Sequence, residues 1–89
     1  MTLKIEIFSA PNCSRCSKGK ILVAELVTEL AADISWRVVD VVQELDYAVA
    51  LGVLSTPAIA INGKLVFVSL PSKKKLREIL LQYGAESDN

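Results

Sequence analysis

Cys13 and Cys16 stand three residues apart and are the only two cysteines of an 89-residue chain. A thiolate at one of them can attack a disulfide sulfur and form a mixed disulfide. A second thiol within reach can then attack that bond and release the reduced product. Placed at a loop-to-helix junction, Cys13 would face open backbone N–H groups and the positive end of the helix dipole. Both favour thiolate over thiol, so its pKa is expected below the free value of about 8.5. Arg15, Ser14 and Lys18 are the expected tuning neighbours, the two cations adding positive charge. Cys16, one turn into the helix, is expected to be the more buried, resolving thiol.

Other readings of the pair stay open. A structural disulfide closing so small a loop would constrain the unfolded chain little. Zinc normally takes four Cys or His ligands, and this chain has two cysteines and no histidine. Such a site could be completed only across a dimer with four shared cysteines. Two helix-start cysteines with no task are the bland alternative. Their position after a strand favours redox use.

The elements that must position the pair are legible in the patterning. Leu3 to Phe8 alternates apolar and polar, then turns apolar, as a strand does. Ser9-Ala10-Pro11-Asn12 breaks it into a loop. From Ser14 to about Ala32 the period is helical, with Leu22, Leu26 and Leu30 at spacing four and Val23 and Val27 alongside. Gly19 interrupts that helix, where it permits a close backbone approach or means little. Ile34 to Val42 is a β-branched second strand, which completes a βαβ unit. Glu44 to Leu51 is a short helix with Leu45, Ala48 and Val49 on one side, and Gly52 stops it. Pro57 to Ile61 and Leu65 to Val68 form a hairpin around Asn62-Gly63. A last helix spans Lys73 to Tyr83, with Leu76, Ile79 and Leu80 as its buried stripe. Gly84 ends it and residues 85–89 form a flexible tail. The expected order is β-α-β-α-β-β-α: an α/β fold, with a four-stranded mixed sheet and helices on both faces. Residues 1–84 make one domain.

At this point the chain resembles the thioredoxin/glutaredoxin superfamily over nearly its whole length. Cys13-Ser14-Arg15-Cys16 follows strand one and opens helix one. Gly52-Val53-Leu54-Ser55-Thr56-Pro57 resembles the family segment that ends in a cis-proline beside the cysteines. The Asn62-Gly63 hairpin and terminal helix close the fold as the family does. The resemblance implies a thioredoxin-like fold, and protein-disulfide reduction through the redox-active disulfide Cys13–Cys16 with no cofactor and no metal. It also implies a substrate-binding role for Thr56, Pro57 and Asn12, Thr56 offering its backbone to an extended peptide. Two departures stand out. Asn12 occupies the place of the usual tryptophan, and Ile7 that of the buried acid which assists proton transfer. Glu6 is adjacent, but should face the other side of its strand. A glutathione-dependent glutaredoxin is a second reading. Its lysine before the first cysteine is missing, and Ser69-Leu70-Pro71-Ser72 lacks its Gly-Gly and acid. A non-catalytic binding scaffold is a third.

Bulk properties narrow the partners. Ten basic and ten acidic residues cancel, so neither nucleic acid nor an anionic membrane is expected. No apolar run approaches about 20 residues. The first ten residues carry Lys4 and Glu6 and show no signal-peptide pattern. The expected setting is a cytoplasmic monomer, acting on protein disulfides and supplied by an upstream reductase of the thioredoxin-reductase kind or by glutathione. Lys73-Lys74-Lys75 lies at a helix start, where the dipole disfavours cations, and reads as a solvated face. Trp36 reads as core or sheet surface, and Asp40 as a capping or loop acid. Tyr47 is not placed by sequence.

Overall fold

The computed structural model describes residues 3–30 and 33–87, with backbone alone at 84–87. The chain runs β1 (Leu3–Ser9), α1 (Cys16–Leu30), β2 (Ile34–Asp40), α2 (Leu45–Leu51), β3 (Ala58–Ile61), β4 (Lys64–Phe67) and α3 (Lys73–Ser87). The sheet order is β2-β1-β3-β4. β1 pairs in parallel with β2, from Leu3 opposite Ile34 to Ser9 opposite Asp40. On its other side it pairs antiparallel with β3, with Ile7 opposite Ile59 and Phe8 opposite Ala58. β4 is antiparallel to β3, with a register irregularity between Ile59 and Ala60. This is the mixed thioredoxin-like sheet the sequence predicts.

Because β1 is interior, both its faces are covered, and successive side chains feed two cores. Leu3, Ile5 and Ile7 pack with Val23 and Leu26 of α1, Ile59 and Ile61, and Leu76 and Leu80 of α3. Trp36 packs, partly buried, against this cluster. Phe8 points the other way, with Val39, Ala58 and Ala60, under Ala48 of α2. Thus α1 and α3 cover one face and α2 the other.

Three expectations need correction. Leu45 and Val49 are exposed rather than buried. Tyr47 and Leu51 flank Ala48 against the core instead, because positions 47, 48 and 51 make the stripe that a seven-residue helix turns to the sheet. Helix α1 starts at Cys16, not Ser14, so Cys16 opens the helix instead of lying one turn inside it. Helix α3 runs on through position 84 to Ser87. A single Gly costs a helix only about 1 kcal/mol and does not by itself end one. The remainder of the expected tail, Asp88 and Asn89, lies outside the described residues.

The punctuation behaves as its chemistry demands. Asn62 and Gly63 both take positive φ, 51° and 82°, as a type I′ turn requires. The Asn62 side-chain oxygen accepts from Lys4 N–H at 2.9 Å, and Asn62 N–H donates to Lys4 O at 2.8 Å. The hairpin tip is thereby tied back to β1. Gly52 ends α2 in the left-handed conformation. One Asp40 carboxylate oxygen accepts from Val42 N–H at 2.8 Å and Gln43 N–H at 3.3 Å, which turns the chain out of β2.

Candidate active site

β1 ends at Ser9, and a short turn brings the chain back as α1. Asn12 makes that turn with φ 62°, a backbone conformation Asn tolerates better than most side chains. Cys16 N–H donates to Cys13 O at 3.3 Å, and Gly19 N–H to Arg15 O at 3.0 Å. The Cys13-Ser14-Arg15-Cys16 segment is therefore a tight turn running directly into the helix. Cys13 and Cys16 are joined in a disulfide, their Cα atoms 5.4 Å apart, within the span such a bond bridges. Cys13 is partly exposed, whereas Cys16 is only 2% exposed. Of the bonded pair, Cys13 is the one that reaches the surface. The leading amides of α1 have no intrahelical acceptors and give this end a positive potential.

Two shallow depressions flank Cys13 and share Ala10, Asn12 and Ser14. One adds Arg15 and Thr56. The other adds Ser9, Cys16, Ser17 and Lys20. The Thr56–Pro57 peptide bond is cis, Pro57 is buried and Thr56 partly so. Ser55 Oγ donates to Val68 O at 3.0 Å and ties this loop to the strand end beyond β4. Gly19 sets how closely α1 approaches. A β-carbon there would stand 3.6 Å from Pro57 Cβ and 2.7 Å from Ile7 Cδ1. A side chain much larger than alanine would push the helix, and Cys16 with it, off the proline.

The structure thus brings Asn12, Ser14, Arg15 and Thr56 together around Cys13. Lys18, expected among them, is exposed on α1 and lines neither depression. Lys20 takes its place, a residue the sequence reading did not single out. Lys20 lies four residues after Cys16, on the same helix face, and the docking of α1 beside the turn of Ser9, Ala10 and Asn12 brings that face to the site. Ser9 and Ser17 were likewise missed.

The buried acid lies elsewhere. Glu6 is 3% exposed and faces away from Ile7, as strand alternation requires. Arg37, its cross-strand neighbour, donates to one carboxylate oxygen through Nε at 3.0 Å and Nη2 at 2.8 Å. Tyr47 Oη donates to the other oxygen at 2.5 Å, and Glu44 meets Arg37 Nη1 at 3.3 Å. The hydrogen bond to Glu6 raises the Arg37 pKa above its ordinary value. The same carboxylate, with partial burial, raises that of the Tyr47 hydroxyl. This network braces α2 on the sheet and lines neither depression at Cys13. Across the other face, Lys73 Nζ meets Glu29 at 2.6 Å and Arg77 meets it at 2.7 Å. Their hydrogen bonds lower the Glu29 pKa. Lys73 is thus a clamp between α1 and α3. Among the described residues no group of three or more His, Cys, Asp or Glu side chains is placed to hold a metal ion. No helix among them is long and apolar enough to cross a membrane.

The "Thioredoxin domain" family model matches residues 3–81. A protein of Methanothermobacter thermautotrophicus described as "Probable Thioredoxin" is 34% identical over 80 residues, covering 90% of this chain and 94% of that one. A thioredoxin of Methanocaldococcus jannaschii is 31% identical over 78 residues, covering 88% and 92%. Among solved structures, a point-mutant thioredoxin from Halobacterium salinarum superposes with a TM-score of 0.78 at 24% identity, over 91% of this chain and 74% of that one. Thioredoxin 1 from Thermosipho africanus gives 0.75 at 22% identity, over 97% and 99%. At these identities the solved structures speak to the fold alone. The match extends through the Cys13–Cys16 pair, and it does not favour a glutaredoxin. With its cysteines at disulfide distance on this scaffold, the chain belongs to the thioredoxin family and is a thiol–disulfide oxidoreductase.

Proposed function

We propose that the protein reduces disulfides of other proteins by a dithiol mechanism, with Cys13 as nucleophile and Cys16 as resolving thiol. The observation that carries this assignment is the unequal exposure of the two residues: Cys13 is partly exposed and Cys16 is buried. In the reduced protein the Cys13 thiolate attacks one substrate sulfur. The substrate S–S bond breaks, and its other sulfur leaves as a thiolate that takes up a proton. The Cys16 thiol then loses its proton and attacks Cys13 sulfur. The second substrate thiolate leaves, and the Cys13–Cys16 bond holds the two electrons' worth of oxidation. An upstream dithiol or reductase must return two electrons to restart the cycle. The cation at Arg15 and the amides of α1 favour the Cys13 thiolate, while Thr56 and Asn12 lie where an extended substrate would pass.

A thioredoxin-reductase-like enzyme is the natural donor for this family, and glutathione the less favoured one. The chain acts as a single-domain monomer in the cytoplasm and needs no metal or organic cofactor. The experiment is insulin-disulfide reduction driven by dithiothreitol. Wild type should accelerate it and Cys13→Ser should abolish the acceleration. Cys16→Ser should accumulate a mixed disulfide, visible on a non-reducing gel and lost with dithiothreitol. Normal turnover in Cys13→Ser would overturn the assignment of roles. Zinc at one ion per two chains in purified protein, with loss of a dimer on chelation, would overturn the monomeric, metal-free reading.

A further inference from the structure

We infer that the two depressions flanking Cys13 select substrates carrying a carboxylate next to the disulfide, through Lys20 on one side and Arg15 on the other. The inference rests on the disulfide-reducing activity and adds its substrate class. Among the described residues, Lys20 is the only charged group lining the first depression, and Arg15 the only one lining the second. None of the described acids lines either. Among the described residues neither cation takes part in an ion pair, whereas Arg37, Lys73 and Arg77 all do. Three of the described acids are committed elsewhere. Glu6 is held by Arg37 and Tyr47 on the far face, Glu29 by Lys73 and Arg77, and Asp40 by the amides of Val42 and Gln43. The two cations thus border the reactive sulfur on both sides, with no described acid beside them.

Cations beside a thiol also favour its thiolate, so the test must separate substrate choice from thiol reactivity. Two disulfide-bonded peptides differing only by Glu or Gln beside the cysteine do this. The same Cys13 thiolate attacks both, and the ratio of their kcat/KM values cancels its reactivity. One charge contact at a solvent-exposed site should make wild type prefer the Glu peptide about threefold to fivefold at low salt. High salt should shrink the preference. Lys20→Glu should lower the ratio to one or below. Arg15→Glu, in an exposed turn outside the helix, should do so independently if Lys20→Glu fails to fold. A wild-type ratio of one overturns the inference, as does a ratio unchanged by both reversals. Failure of wild type to reduce either peptide would instead defeat the underlying activity.

Discussion

Gly19 on helix α1 lies against Ile7 of the central strand so tightly that an added β-carbon would fall 2.7 Å from the Ile7 Cδ1. Ile7 is fully buried in the core that α1 covers, at the position where the family resemblance implies an acid. Gly19→Ala sets two effects against each other. It gains up to about 1 kcal/mol of helix propensity and displaces only the flexible end of an Ile side chain. Its net change in stability, read from the urea midpoint, should be small, within about 1 kcal/mol. Gly19→Leu has no such escape and should destabilise by about 1 to 3 kcal/mol through overpacking. A fully stable Gly19→Leu would show that the contact is not structural.

Tyr47 should make stability fall at high pH. Its hydrogen bond to Glu6 raises the hydroxyl above its ordinary value of 10.0. The folded state therefore keeps the proton in a range where the unfolded chain has lost it. Stability from this group is complete below about pH 10 and declines as pH rises further. Tyr47→Phe should remove that decline. It should also cost about 1 to 3 kcal/mol at neutral pH, by leaving a buried carboxylate oxygen without its donor. Urea titrations of both proteins between about pH 7 and pH 11 would test this, an unchanged slope counting against it.

Glu29 works in the opposite direction. Lys73 and Arg77 lower its pKa from an ordinary 4.5, so its contribution is present above that pH and lost as pH falls through the lower folded value. Glu29→Gln should be less stable than wild type at about pH 7, and the two should converge as pH drops below about 4. A gap that persists at about pH 2 would mean that the side chain acts through packing rather than charge.

Asn12 supplies backbone geometry next to Cys13. At φ 62°, Asn12→Gly should be tolerated, whereas Asn12→Val should cost about 1 to 2 kcal/mol. If Asn12 contributes only geometry, the Gly variant should also keep its insulin-reduction rate. A slower rate in a stable Gly variant would assign the side chain to substrate contact.

Much of the fold was legible because local signals and global need coincide in it. The apolar run of β1 required two covered faces, and Asn62-Gly63 required a hairpin. Gly52 closed α2 where expected. At Gly84 the same cue failed, because a helix already extended and packed through Leu76 and Leu80 carries one glycine at small cost. Leu45 and Val49 were misassigned for a related reason. A seven-residue helix holds too few turns for its apolar period to declare which face meets the sheet, and the anchoring of Tyr47 on Glu6 decided it.

By itself the amino-acid sequence determined the chemistry and its frame: two thiols three residues apart, a strand before them, and a Thr-Pro pair to stand beside them. These are properties of residue types and near-neighbour spacing, which the chain carries before it folds. Which cation lies at the sulfur was decided only by tertiary structure. Lys18 and Lys20 are indistinguishable in composition, yet about 100° per residue of helical rotation puts one in solvent and the other in the depression. The fate of Glu6 was decided in the same way, because the partners of a buried charge come from β2 and α2, more than thirty residues away. Long-range packing chooses among side chains that local sequence leaves equivalent.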